Sequence, residues 1–154
     1  ESNYEAIVNI GSAEGYYAVG LAMRLPDAVV HAYDINDDAQ NWCRKLAEAN
    51  GVSERVTIGS LFKTDHFSQF RDMKTLIICD IEGGEVDLLN PYSAPALRHL
   101  DIIVEAHEGE HPGTIETLMN RFNTTHSIEV VYDNGQRILD NMPPWFMQSQ
   151  CSVG

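Results

Sequence analysis

Short apolar runs alternate with longer stretches of helical periodicity along this 154-residue chain. Ala6 to Ile10 (Ala-Ile-Val-Asn-Ile) is almost wholly apolar and too short for a helix, the signature of a strand covered on both faces. The segment after it carries Ala18, Leu21, Ala22 and Leu25 on one helical face and must stop before Pro26, whose ring cannot continue a helix. Ala28 to Tyr33 reads as a second strand. Asn36 is a good N-cap for a second helix, with Asp37 and Asp38 favourable in its first turn. Ala39, Trp42, Cys43, Leu46 and Ala47 form the apolar face of that helix, and Asn50-Gly51 ends it. Further strands are read at Arg55 to Ile58, Thr75 to Cys79, Leu100 to Ala106, Ile128 to Tyr132 and Trp145 to Cys151. A helix carrying Ile115, Leu118, Met119 and Phe122 begins near Pro112, and Asn134-Gly135 is a turn. The pattern predicts an α/β fold: a doubly wound, mostly parallel sheet of seven strands with helices on both faces.

Open sheets of this kind bind ligands in the crevice beyond the carboxyl ends of their strands. The first strand runs straight into Gly11 and Gly15, where the absence of Cβ lets a ligand approach the backbone and the next helix offers free N–H groups. The second strand ends at Asp34, 23 positions after Gly11, where a carboxylate can accept hydrogen bonds from ribose hydroxyls. The pair points to an adenosine-bearing cofactor. Dinucleotide sites want Gly-x-Gly-x-x-Gly, but here the third position is Ala13 and the sixth is the bulky Tyr16, which weakens a nicotinamide reading. Asp80, Glu105 and His107 mark two further strand ends on the same rim.

The spacing Gly11-x-Ala13-x-Gly15 resembles motif I of class I S-adenosylmethionine (SAM) methyltransferases. Asn9-Ile-Gly-Ser-Ala-Glu-Gly-Tyr-Tyr17 and Asp80-Ile-Glu-Gly-Gly-Glu85 resemble the FkbM-type group of that superfamily, mostly O-methyltransferases, with the likeness running from about residue 6 to at least Glu108. The resemblance implies a Rossmann-like class I fold forming a single domain over residues 1–154. It implies SAM bound by Gly11, Ser12, Ala13, Gly15, Tyr17, Asp34, Ile35, Ser60 and Leu61, with Asp80 and His107 catalytic and Glu82 and Glu105 toward the acceptor. The implied reaction is O-methylation of a small hydroxyl substrate such as a sugar or secondary metabolite. Methyl transfer is a direct displacement, so positioning dominates. A carboxylate or imidazole that takes the hydroxyl proton adds to it, and Asp80 and His107 are both candidates. The chain departs from the family where motif I carries Asn9 in place of an acid and where Ser60 stands at the adenine-contacting position. It also begins almost on the first strand, so either it is a piece of a longer protein or it lacks the cap helices that normally precede that strand.

Net charge sharpens the choice of partner. Ten Lys and Arg stand against 23 Asp and Glu, for −13 overall, which repels phosphate backbones and anionic lipid, so neither a nucleic acid nor a membrane is the expected partner. No apolar run approaches a membrane span and no secretory leader is visible. Cys43, Cys79 and Cys151 are odd in number and in no metal-ligand spacing, as in a cytoplasmic protein with reduced thiols. His107-Glu-Gly-Glu-His111 spells the zinc-peptidase His-Glu-x-x-His, yet His111 precedes Pro112 and Gly109 weakens any helix, so no resident metal is expected. A looser metal site drawn from Asp80, Glu105, His107 and His111 is the weaker reading. Asn141-Met-Pro-Pro-Trp145 resembles the Asn-Pro-Pro-aromatic segment of amino-methylating enzymes, but Met142 interrupts it and it falls far after the fourth strand. Two alternatives stand beside methyl transfer: an NAD-dependent oxidoreductase, and a non-catalytic nucleotide-binding module.

Overall fold

The computed structural model describes residues 3–109 and 111–132. Its five strands are β1 (Ala6–Ile10), β2 (Val29–Tyr33), β3 (Val56–Gly59), β4 (Thr75–Cys79) and β5 (Asp101–Val104), and its helices are α1 (Tyr16–Arg24), α2 (Asp37–Ala49), α3 (Glu85–Leu88) and α4 (Thr114–Phe122). The sheet is parallel throughout in the order β3-β2-β1-β4-β5. β1 lies at its centre, and all five of its residues are buried.

Alternation along β1 divides the core. Ala6, Val8 and Ile10 join Phe67, Phe70, Ile77, Leu97, Leu118 and Phe122 on one face, under α4 and the 3-10 turns Thr64–Phe70 and Pro95–His99. Ile7 points the other way, to Ala18, Val19 and Ala22 of α1 and Cys43 and Ala47 of α2. Both faces are therefore covered, which is why β1 and β4 carry no exposed polar side.

α1 ends where expected: the Leu25 N–H closes on Leu21 O and Pro26 follows. Asn36 caps α2 by accepting from the N–H groups of Asp38 and Ala39. The buried face of α2 is rotated from the predicted one, since Gln40, Cys43 and Ala47 go inward while Trp42 and Leu46 stay exposed. Gln40 tolerates burial because its amide donates to the Asp34 carbonyl at 2.8 Å, and Trp42 instead stacks under the Lys45 ammonium, 4.4 Å from its ring.

The expectation of seven strands is corrected to five among the described residues. Ile128 to Tyr132 forms no strand: among the described residues no backbone pairs with it, and Val131 and Tyr132 are well exposed. Trp145 to Cys151, the Asn134-Gly135 turn and the Asn141 to Trp145 segment lie outside the described residues. No helix among those described is long and apolar enough to cross a membrane.

Candidate active site at the strand ends

Register decides which side chains meet. Gly59, Tyr33, Ile10, Cys79 and Val104 form one row across the sheet. One residue further along each strand stand Ser60, Asp34, Gly11, Asp80 and Glu105, five of the positions singled out in the sequence.

The glycine loop is fixed by backbone and by Asp34. Gly11 and Ser12 both donate N–H groups to Tyr33 O, at 2.8 and 2.9 Å. Ala13 donates to Asp34 Oδ2 at 2.8 Å and Asn36 to Asp34 Oδ1 at 2.9 Å, so one carboxylate joins the loop to the start of α2. Gly11 adopts a φ of +76°, and a Cβ placed there would fall 1.7 Å from the Asp80 carbonyl oxygen. Gly15 (φ +91°) likewise faces Cys43 Sγ, 2.5 Å from where its Cβ would be. Only glycine fits either place, and the loop lies hard against the end of β4. Ser12 Oγ and Asn9 Oδ1 are buried without a hydrogen-bond partner among the described residues. Tyr17, Ile35, Ser60 and Leu61 are exposed along the same rim, three of them large and apolar. These features fit an adenosine cofactor: a close-approach backbone, an unsatisfied buried hydroxyl, a carboxylate, and apolar surface for a base.

Beside the loop, His107 is the hub of a carboxylate cluster. Its Nε2 lies 3.6 Å from Asp80 Oδ1 and 3.4 Å from Glu82 Oε2, while its Nδ1 is 2.7 Å from Glu85 Oε1. The Glu85 hydrogen bond raises the imidazole pKa above the usual histidine value against the opposing effect of burial, and the charges of Glu85, Glu82 and Asp80 add to the rise. Glu85 is completely buried, which pushes its carboxyl up. The Gly83 amide, its own amide and His107 more than offset that and hold it below the usual carboxylate range. Asp80, Glu82 and His107 offer three donor atoms within 4.8 Å of one another and could also hold a divalent ion. Glu105 is exposed at the end of β5 and stands apart from the groups that meet His107.

Glu108 and Gly109 lie in a turn and neither His107 nor His111 is helical, with the His111 N–H bonded to His107 O. Glu108, which a zinc peptidase would use as base, instead accepts from the N–H groups of Gly113 (2.9 Å) and Ile115 (2.6 Å) at the start of α4. Those two amides hold its carboxyl below the usual range. The His-Glu-x-x-His spelling thus carries no peptidase geometry. What sequence reasoning missed is the role of Glu85, whose contact with His107 spans 22 positions and leaves no local signal.

A central β1 flanked by β2 and β4, with the glycine loop and the His107 cluster at one rim, is the fold of the class I methyltransferases, and solved structures bear out that fold. An O-methyltransferase from Bacillus cereus in complex with S-adenosylhomocysteine superimposes with a TM-score of 0.57 at 18% identity, covering 80% of this chain and 62% of that one. The O-methyltransferase TomG from Streptomyces achromogenes, in complex with SAM, gives 0.58 at 16% identity, covering 80% and 61%. In sequence, the chain is 36% identical over 92 residues to a release factor glutamine methyltransferase from Chlorobaculum tepidum, 58% of this chain and 28% of that protein. The chain therefore spans less than a third of that relative's length. No protein-family model matches it.

Proposed function

We propose that this chain is a SAM-dependent methyltransferase domain of the FkbM type that methylates a hydroxyl group of a small molecule such as a sugar or secondary metabolite. The observation that carries the reading is the contact of Gly11 with Asp80: the cofactor loop and the His107 cluster meet at the β1–β4 switch point, where a methyl donor and an acceptor must adjoin. SAM, when bound, supplies an electrophilic methyl group. The chain's own residues do the rest. The Gly11 to Gly15 backbone and Ser12 hold the cofactor, Asp34 takes its ribose, and Ile35 and Leu61 flank its base, with Tyr17 alongside. Asp80, Glu82 and Glu105 face the acceptor, and His107 Nε2 receives its hydroxyl proton.

A second reading, methylation of a side-chain amide nitrogen in a protein, is favoured by the likeness to the glutamine methyltransferase. Against it, the segment after β4 is Asp80-Ile-Glu82, carboxylates suited to a hydroxyl proton, where amino-methylating enzymes carry Asn-Pro-Pro-aromatic. The strong net negative charge argues for a neutral or cationic small acceptor over a nucleic acid.

Calorimetric titration with SAM, S-adenosylhomocysteine and NAD tests the cofactor, with Asp34→Ala as control. Micromolar SAM binding that the variant loses is the expected result; binding of NAD alone would overturn the reading. Radiolabelled methyl transfer to a panel of hydroxyl compounds and to a glutamine-bearing peptide then separates the two acceptors.

A further inference from the structure

We infer that Glu85 is a positioning residue that sets the tautomer and orientation of His107, leaving Nε2 as the proton-accepting atom on the acceptor side. The inference rests on the methyl-transfer reading for its catalytic meaning, but its structural content stands alone. An ionised carboxylate can only accept hydrogen bonds. With Glu85 Oε1 at 2.7 Å from Nδ1, the ring proton must sit on Nδ1, and a neutral His107 then presents a bare Nε2 toward Asp80 and Glu82. Glu85 cannot swing away, because it is fully buried and the same Oε1 accepts the Gly83 N–H at 3.1 Å. That shared oxygen joins the turn carrying Glu82 to the loop carrying His107. The turn itself is held in a rare shape, with Glu82 at φ +53° and Gly83 at +99°.

A helix-capping role alone does not account for this arrangement. A buried charge is costly, and Glu85 Oε2 has no hydrogen-bond partner among the described residues. A neutral amide or hydroxyl would satisfy the Gly83 N–H without that cost. What a carboxylate adds over an amide is stabilisation of the positive charge on the imidazole as it takes up a second proton on Nε2.

The test is nitrogen NMR on protein with 15N-labelled histidine, at a pH where His107 is neutral, together with single-turnover methyl transfer, on wild type, Glu85→Gln and Glu85→Ala. The Nδ1–H form is expected in wild type. Glu85→Gln, whose side-chain oxygen can still accept from Nδ1–H, should keep it and lose roughly tenfold in rate or less. In Glu85→Ala the Nε2–H form should appear and the rate should fall roughly 100-fold or more, with SAM affinity within about twofold of wild type. Should Glu85→Ala fail to fold, the wild-type and Glu85→Gln spectra still decide. An Nε2–H tautomer in wild type, or a folded Glu85→Ala with unchanged tautomer and rate, overturns the inference. A wild-type protein that binds no SAM but shows the Nδ1–H form would sink the methyl-transfer reading and leave the tautomer assignment standing.

Discussion

Replacing Gly11 with alanine adds one methyl group at the most crowded point of the sheet. The residue sits at φ +76°, where a side chain costs about 1–2 kcal/mol. The new Cβ would also lie 1.7 Å from Asp80 O and 2.7 Å from Asp80 C. Neither atom can yield cheaply, because both are backbone and the Asp80 N–H is bonded to Ile10 O at 3.0 Å. Forcing a methyl into packed structure costs about 1–3 kcal/mol more. The sum, roughly 2–5 kcal/mol, is a large part of the ~5–15 kcal/mol that holds a domain folded. Urea denaturation should therefore show a clear fall in midpoint, and SAM affinity should drop because the loop is pushed off the end of β4. Gly20→Ala is the internal control: Gly20 lies within α1 with nothing near its would-be Cβ, so the same change there should stabilise by about 0.5–1 kcal/mol. A Gly11→Ala protein within about 1 kcal/mol of wild type that still binds SAM would refute the packing of this loop on Asp80.

Three further outcomes follow from the same geometry. The Cys79 thiol, pushed up to about 12 by burial and then by Glu85 and Asp80, should resist alkylation at pH 8 until the protein is unfolded; labelling of native Cys79, read by peptide mass spectrometry, would contradict it. Arg55 donates to the carbonyls of Ala22 (2.5 Å), Leu25 (3.2 Å) and Ala28 (3.3 Å) at the end of α1, so Arg55→Ala should lower stability in denaturant melts by about 2–3 kcal/mol, and an unchanged midpoint would count against these bonds. Because His107 has a raised folded pKa, its stabilising effect is fully present below the unfolded value near 6.5 and fades as pH climbs through the folded one. Under the proposed role of His107 as proton acceptor, methyl transfer should rise through that same elevated pKa in a kcat/KM profile. An inflection at or below the ordinary histidine value would refute the role assigned to the Glu85 bond.

Much of this site was legible along the chain because parallel topology converts sequence into position. Gly11, Asp34, Ser60, Asp80 and Glu105 each follow a strand directly, and strand ends in a parallel sheet share one rim. The N-cap at Asn36 and the stop at Leu25 before Pro26 were equally readable, being local chemistry. What could not be read depends on neighbours distant in sequence. The face of α2 turned because the Asp34 carbonyl accepts from Gln40, a partner that makes burial of a polar residue tolerable. Ile128 to Tyr132 has a strand's composition but no paired backbone among the described residues, and composition supplies no partner.

Glu85 shows why a motif can be recognised before its role is. In the run Asp80-Ile-Glu-Gly-Gly-Glu85, the first two acids leave the strand and enter the rim, while the third begins α3 and turns inward. Residue type does not distinguish them; the left-handed steps at Glu82 and Gly83 do, by reversing the chain so that Glu85 comes up beneath the loop after β5. Substituting Gly83 would test that steric logic, since a Cβ there would lie 2.3 Å from the His111 ring as well as straining a φ of +99°. The turn is thus constrained from both sides, by the His111 ring above it and the Glu85 carboxylate below. Half-buried Asp80, exposed Glu82, buried Glu85 and the His107 imidazole thus meet at the switch point around a turn whose left-handed φ values and tight approach to His111 leave little room for a side chain at Gly83.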